Sequence, residues 1–207
     1  MAAAVGAALD LPLTGPALAA GAAAAARAME APRTTDRERA SAYLEALFLE
    51  AGVPPGRMGE VRDRLTELHA ERHLWGGVAE GTLEVLTRLR RAGLQLGVVS
   101  NSDGRVEEAL SAAGLRECFD VVIDSALVGV EKPDPAIFRA ALDALRVSPG
   151  QALYVGDLYE IDVVGANAAG MPAVLLAPAG APQPLGCATV ASLRALADDL
   201  LKERLAS

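Results

Sequence analysis

The sequence predicts an α/β fold, a doubly wound parallel sheet that follows an N-terminal helical region. From residue 82 onward, short apolar runs alternate with amphipathic stretches at βαβ spacing, which is typical of a parallel sheet covered by helices. Residues 1–75 contain no run with the two-residue alternation of a strand. We therefore place a helical region at residues 1–75 and the sheet-containing domain at residues 76–207.

Composition narrows the class of protein. The 207 residues are 52% hydrophobic and carry a formal net charge of -8, so we expect a packed core and no partnership with nucleic acid or an anionic membrane. The only two cysteines, Cys118 and Cys187, lie far apart in the sequence, which favours a reducing, cytoplasmic location. The composition leaves the oligomeric state open.

The elements follow from periodicity and from turn residues. The predicted helices of the first region are 2–9, 17–30, 35–51 and 57–73, the third opened by a capping-box pattern at Thr35 and Glu38. In the second region, predicted strands at 94–99, 119–123, 153–155 and 173–176 alternate with predicted helices at 82–92, 105–113, 135–145, 161–169 and 190–205. Leu83, Val85, Leu86 and Leu89 are expected to face the core, and Asp134 is expected to cap the helix that begins at Pro135.

The first polar motif, VVSNSDG, ends a predicted buried strand at Ser100 and Asn101. A hydroxyl and free backbone N–H groups at such a strand end suit an anion such as phosphate. The alternative interpretation is an ordinary β-to-α turn with a polar cap.

The second motif, GVEKPDP, contains Lys132, one of two lysines beside 17 arginines. A lysine in so arginine-rich a chain is typical of a position that needs a compact point charge. Pro133 and Pro135 stiffen its loop. The alternative interpretation is a solvated loop lysine.

The third motif, YVGDLYEID, places Asp157 and Asp162 five positions apart after an apolar run. A buried parallel strand delivers such a carboxylate to the carboxyl edge of the sheet, where these folds bind their ligands. Two acids there suit Mg²⁺, with water and substrate oxygens completing the coordination. Alternatively, Asp157 belongs to a turn and Asp162 to a helix N-terminus.

The order and spacing of the three motifs resemble the haloacid-dehalogenase-like (HAD) hydrolase superfamily over about residues 81–178. VVSNSDG is similar to its second motif, EKPDP to its third and GDLYEID to its fourth. The resemblance implies a Rossmann-like core and makes residues 1–75 the helical cap inserted between the first and second motifs.

The resemblance also implies a reaction, the hydrolysis of a small phosphorylated metabolite through an aspartyl-phosphate. Ser100 would donate a hydrogen bond to phosphate oxygens, with the Asn101 backbone beside it, and Lys132 would balance the negative charge. Asp157 would bind Mg²⁺ directly, and Asp162 directly or through water. Haloacid dehalogenation is the enzymatic alternative, which needs the Asp nucleophile but no metal.

In the HAD superfamily the nucleophile belongs to the family's own first motif, an Asp-x-Asp-x-Thr sequence that follows the central strand. This motif is not evident in the present sequence. Asp10 and Thr14 have the right spacing, but Pro12 replaces the second acid and the alanine-rich residues before Asp10 favour a helix. We therefore expect the sheet to lack its central strand, and the chain to begin after the nucleophile and to have little or no phosphatase activity. The further alternative is a catalytically inactive binding or regulatory protein of the same fold.

Overall fold

The computed structural model describes residues 2–30, 36–71, 77–177 and 186–205. The chain divides into two compact units, Met1–Gly77 and Val78–Ser207. The described part of the first unit is helical, and the second unit alternates parallel strands with helices. The predicted α/β fold with an N-terminal helical region is therefore confirmed. The boundary at residue 75 stays a prediction, since it falls outside the described residues.

The first unit is built from helices packed around an apolar core. Its helices are α1 (Ala2–Leu9), α2 (Gly15–Glu30), α3 (Asp36–Glu50) and α4 (Met58–Glu71). The core includes Val5, Leu18, Ala25, Leu47, Phe48, Val61 and Leu65. A Cβ at Gly21 would lie 2.8 Å from the Leu47 carbonyl oxygen, so this glycine allows α2 to pack closely against α3. The predicted cap residue Thr35 lies outside the described residues.

Asp10 follows helix α1 rather than a strand. Its φ of 50° places it in the left-handed region, and the Arg57 guanidinium donates a hydrogen bond of 2.8 Å to the carbonyl oxygen of Leu9 just before it. The helix predicted for residues 2–9 from their alanine content is confirmed.

The second unit contains two parallel sheets. Its helices are α5 (Thr82–Arg91), α6 (Val106–Ala112), α7 (Ser125–Val128), α8 (Pro135–Leu145), α9 (Val164–Ala168) and α10 (Leu193–Leu205). Its strands are β1 (Gly97–Ser100), β2 (Val121–Asp124), β3 (Tyr154–Gly156), β4 (Ala173–Leu176) and β5 (Ala188–Val190). Strand β1 pairs with β2, and β3, β4 and β5 form the second sheet in that order. Within the described ranges, no strand pairs with the second edge of β1 or of β3.

One apolar core nevertheless spans strands of both sheets. Helix α8 packs on β1, on β2 and on α9. The buried members of this core are Ile123, Ile137, Phe138, Ala141, Leu142, Ala166, Ala169 and Met171. Val99 of β1 and Tyr154 of β3 pack against the same residues. The two sheets are therefore held together by the helices and not by a shared strand in the described chain.

Several predicted boundaries were wrong. Strands β1, β2 and β3 begin one to three residues later than predicted, because strand limits depend on the pairing partner as well as on apolar content. Val190, predicted to open the last helix, pairs with Leu176 in β5. Leu83, predicted to face the core, is 53% exposed because the buried stripe of α5 consists of Val85, Leu86 and Leu89.

The Asp134 cap is confirmed, since its carboxylate accepts a 2.8 Å hydrogen bond from the Ala136 N–H at the start of α8. None of the helices in the described part of the chain combines the length and apolar character needed to cross a membrane.

Candidate active site

The loop after β1 is joined to the loop that carries Lys132. Ser100 ends β1, and the side chain of the next residue, Asn101, forms two hydrogen bonds with the Lys132 backbone. Its Nδ2 donates to the Lys132 carbonyl at 3.0 Å, and its Oδ1 accepts from the Lys132 N–H at 2.7 Å. A planar amide that bonds both groups of one residue fixes that residue in position and in orientation. The first and second motifs, 31 residues apart, therefore meet through the Asn101 side chain.

Asp124, at the end of β2, holds the rest of the loop after β1. Its side chain is 2% exposed, and its carboxylate accepts three backbone hydrogen bonds of 3.0 to 3.2 Å. The donors are the N–H groups of Gly104, Val106 and Ala126. The neighbouring Ser125 hydroxyl accepts from the Ser102 N–H at 3.0 Å and lies 3.2 Å from the Ser102 carbonyl oxygen, to which it donates. These contacts leave Asp124 a positioning role and no exposed oxygen for chemistry.

Lys132 is held by an acid and a phenol. Its ammonium donates to Asp162 Oδ1 at 2.8 Å and to the Tyr154 hydroxyl oxygen at 3.1 Å. The Lys132 side chain is 14% exposed and that of Asp162 only 2%. Burial by itself lowers the pKa of Lys132, but the Tyr154 oxygen and the Asp162 carboxylate outweigh it and raise that pKa above its usual 10.5. The site therefore contains a largely buried cation that stays charged over the physiological pH range.

The second oxygen of Asp162 organises the turn after β3. Asp162 Oδ2 accepts hydrogen bonds of 3.0 Å from the backbone N–H groups of both Asp157 and Leu158. A Cβ at Gly156 would overlap the Asp162 carboxyl group, so the Gly-Asp-x4-Asp spacing requires glycine at its first position. A π-helical turn, Tyr159–Val163, returns Asp162 to this place, as such turns often do at functional sites.

A second glycine brings helix α9 close to the Lys132 loop. A Cβ at Gly165 would lie 2.7 Å from the Phe138 ring and 2.9 Å from the Cα of Pro133. Since a side chain there would push α9 away from this loop, Gly165 supports the approach of Lys132 to Asp162.

Asp157 differs from Asp162 in its accessibility. Its side chain is exposed, yet the protein packed around it partly desolvates the carboxyl group. That desolvation, and then the negative charge of Asp162, raise the pKa of Asp157 above its usual 3.8. A nearby cation would relieve this unfavourable ionisation.

The donor set at this edge fits Mg²⁺. No group of three or more His, Cys, Asp or Glu side chains suited to a metal occurs in the described ranges. Mg²⁺ commonly uses one or two carboxylates and keeps water and substrate oxygens for the remaining positions. Asp157 offers an accessible oxygen, whereas both oxygens of Asp162 already accept hydrogen bonds. The assignment of both acids as metal ligands stays a prediction.

The structure thus brings most of the predicted site residues together. Asn101, Lys132, Asp157 and Asp162 form one network of contacts, and Ser100 adjoins Asn101. Asp10 stands in the other unit, after a helix. Tyr154, Asp124 and Ser125 were missed.

Of these three residues, Asp124 could have been found from the sequence, because it follows an apolar run as Asp157 does. No sequence pattern marks the Tyr154 hydroxyl.

Comparison with known proteins agrees with the predicted fold and family. The sequence model for haloacid dehalogenase-like hydrolases matches residues 11–170. The haloacid dehalogenase-like hydrolase domain-containing protein 3 of Mus musculus is 46% identical over 131 residues, covering 63% of this chain and 52% of that protein. A phosphoserine phosphatase of Thermus thermophilus is 40% identical over 139 residues, covering 67% of this chain and 53% of its own length.

Among solved structures, the HAD-hydrolase YfnB of Bacillus subtilis, crystallised with magnesium, matches with a TM-score of 0.71 at 20% identity. It covers 95% of this chain and 87% of its own, a likeness of fold. The chain spans about half the length of the curated relatives named above. The family match covers well over half of the 207 residues, so the chain belongs to the haloacid dehalogenase-like hydrolases.

Proposed function

We propose that this chain carries the phosphate- and cation-binding side of a Mg²⁺-dependent phosphatase that acts on a small phosphorylated metabolite through an aspartyl-phosphate. One observation carries the proposal: the largely buried Lys132 ammonium is held by Asp162, and the Lys132 backbone is bonded to Asn101 just after β1. A fixed positive charge beside strand-end polar groups is a site for a small dianion.

Each residue of the site has a distinct role in this proposal. Lys132 balances the charge of the phosphate, and the Ser100 hydroxyl and the Asn101 backbone donate hydrogen bonds to its oxygens. Asp157 holds the cation, and Asp162 fixes the turn that carries Asp157. Mg²⁺ bound at Asp157 would lower the repulsion between the phosphate and an attacking carboxylate.

The strand ends of the described chain do not provide a nucleophile. Asp124 is buried under three N–H groups, and Asp162 is committed to Lys132. Asp10 follows a helix, and Asp157 is assigned to the cation. The chain alone is therefore expected to bind phosphate better than it hydrolyses phosphate esters.

The similar proteins support a phosphatase without fixing the substrate. The Thermus thermophilus relative is named a phosphoserine phosphatase, and a Rhodospirillum rubrum relative is named a phosphoglycolate phosphatase. Because these two names concern different small phosphate esters, we keep the substrate at that class. A cytoplasmic location and the absence of nucleic-acid and membrane partners stay predictions from composition.

A non-catalytic phosphate-binding protein is the second candidate, favoured by the lack of an available nucleophile at the described strand ends. Dehalogenation is disfavoured because it needs no cation, whereas the acidic setting of Asp157 suits one. EDTA would abolish any phosphatase activity of the chain and spare any halide release from a haloacid.

Calorimetric titration of the purified chain with inorganic phosphate tests the binding half of the proposal. We expect binding that strengthens with Mg²⁺ and weakens by roughly 10- to 100-fold in Lys132→Met, the value of one charge-assisted hydrogen bond. Lys202→Met is the matched control, since the only other lysine is 76% exposed. Phosphate binding that ignores both Mg²⁺ and Lys132 would overturn the proposal.

Turnover of p-nitrophenyl phosphate with Mg²⁺ tests the other half. We expect little or none from this chain. Robust turnover that disappears in Asp10→Asn would assign the nucleophile to Asp10 and contradict our prediction.

A further inference from the structure

The Tyr154 hydroxyl stands where the two sheets and the Lys132 loop meet. It lies 3.1 Å from Lys132 Nζ, 3.2 Å from the Val99 carbonyl oxygen and 3.4 Å from Asp162 Oδ1. An ammonium can only donate, so the Tyr154 oxygen accepts from Lys132 and keeps its own proton for one acceptor. The shorter of the two acceptor distances is that to Val99.

The aromatic ring that carries this hydroxyl is fixed by the core. The Tyr154 ring packs edge-on against Phe138, with centroids 4.9 Å apart and planes at 78°, and Phe138 is fully buried. In the sheet, Tyr154 pairs with Ala173 of β4, whereas Val99 pairs with Ile123 of β2. The hydroxyl therefore links strands of different sheets at a position set by packing.

The donors of Lys132 can be counted. An ammonium has three N–H groups, and Asp162 and Tyr154 accept two of them. In the described part of the chain no group accepts the third. One contact alone would leave the ammonium able to rotate about it, but two acceptors in different directions fix the third N–H as well.

We propose that Tyr154 is a positioning residue which, together with Asp162, orients the Lys132 ammonium so that its remaining N–H is presented to a phosphate oxygen of the ligand. This inference rests on the proposed function for the identity of the ligand. It gives a role to a tyrosine that acts through Lys132 and need not touch the substrate.

Removal of one oxygen atom tests the proposal. Tyr154→Phe keeps the ring against Phe138 and removes the contacts to Lys132 and Val99. With inorganic phosphate and Mg²⁺ as the probe, we expect Tyr154→Phe to weaken binding roughly 10-fold, because the Lys132 ammonium then has to be ordered when phosphate binds. Tyr159→Phe, which removes the same atom from the following turn, is the matched control and is expected to bind phosphate as the unaltered chain does.

A double-mutant cycle separates positioning from general destabilisation. If Tyr154 acts through Lys132, Tyr154→Phe has no further effect on phosphate affinity when Lys132→Met is already present. An equal loss of affinity in both backgrounds would overturn the proposal in favour of a structural role.

The lysine content allows a readout that needs no phosphate. With ¹⁵N-lysine labelling, only Lys132 and Lys202 contribute ammonium signals, and Lys202 is largely exposed. We expect a slowly exchanging Lys132 signal in the unaltered chain and in Tyr159→Phe, and at least several-fold faster exchange in Tyr154→Phe.

The exchange of the Lys132 ammonium and the affinity for phosphate test different parts of the proposal. A Lys132 signal unaffected by Tyr154→Phe, or phosphate affinity unaffected by it, would overturn the role of Tyr154. If the exchange changes as expected while no variant binds phosphate, the orientation of Lys132 by Tyr154 stands, and the failure lies in the proposed function and in the ligand taken from it.

Discussion

The loops that follow β1 and β3 are each organised by one buried aspartate, but the two carboxylates have different partners. Asp124 and Asp162 are both 2% exposed. Asp124, at the end of β2, accepts three backbone N–H groups, which come from the loop after β1, from the start of α6 and from α7. Asp162 accepts two backbone N–H groups and also the ammonium of Lys132.

The difference shows how one residue type can serve as a scaffold in one loop and as a functional group in the next. The buried Asp124 carboxylate is stabilised by backbone N–H dipoles, so the loop after β1 is fixed without a second charge. Around Asp162 a cation is buried too, and a buried ion pair adds little net stability although breaking it is costly. We infer that the β1 loop is built for rigidity and the β3 loop for holding a charge.

The largest effect is expected from Asp162→Ala. The substitution leaves the nearly buried Lys132 ammonium without its counter-charge and the N–H groups of Asp157 and Leu158 without their acceptor. Loss of one member of a buried pair lowers the free energy of unfolding by about 3–5 kcal/mol. Urea unfolding followed by circular dichroism measures it.

Asp157→Ala is the control for this prediction, because it removes an exposed carboxylate from the same turn and should change the free energy of unfolding by less than about 1 kcal/mol. If the two variants were equally stable, the ion pair would not be what organises the β3 loop.

A smaller loss is expected from Asp124→Ala. Three backbone N–H groups lose their acceptor, but no side-chain cation is left behind. A hydrogen bond to a charged group is worth about 1.5–3 kcal/mol, and water can reach part of the loop, so we expect a loss of about 2–3 kcal/mol in the same urea experiment.

Asp124→Asn sharpens this test, because its amide keeps one acceptor oxygen. The free energy of unfolding of this variant should lie between those of the unaltered chain and Asp124→Ala. A loss in Asp124→Ala that equals or exceeds that of Asp162→Ala would remove the distinction between the two loops.

Parts of the fold could be predicted closely from the sequence because local chemistry determines them. Helix α8 and strand β4 have the predicted limits, since an Asp-Pro start and an apolar run between turns are local signals. Helix α7 and strand β5 were missed. They have four and three residues, too few for a period to be recognised.

The candidate site could be written from the sequence as a set of positions, but its contacts could not. Ser100, Lys132 and Asp157 stand out because polar residues follow apolar strands or break an arginine-rich composition. The pairing of Asn101 with the Lys132 backbone joins residues 31 apart, and that of Asp162 with Lys132 joins residues 30 apart. Such contacts depend on how helices and strands pack, which no local pattern encodes.

The smallest effect is expected at Asp120, which holds the amino-terminal end of β1 as Asp124 holds its carboxyl end. Its carboxylate accepts 2.8 Å hydrogen bonds from the Leu96 N–H and from Arg90, but the side chain is 32% exposed. The hydrogen bond from the Leu96 N–H, and then the contact with Arg90, lower the pKa of Asp120 below its usual 3.8 despite some desolvation. Because the contact is near the surface, Asp120→Asn should lose less than about 1 kcal/mol at neutral pH.

The pH dependence of this loss follows from the sign of the shift. A carboxyl group whose pKa is lower in the folded chain than in the unfolded chain stabilises the fold at pH values above its unfolded pKa. That stabilisation disappears as the pH falls through the lower, folded pKa. The stability difference between the unaltered chain and Asp120→Asn should therefore be full near neutrality and shrink in acid, as urea midpoints would show. Part of it should persist in an Arg90→Met background, because the Leu96 N–H still donates to the carboxylate. A difference that vanished there would make Asp120 an ion pair like Asp162 rather than a backbone anchor like Asp124.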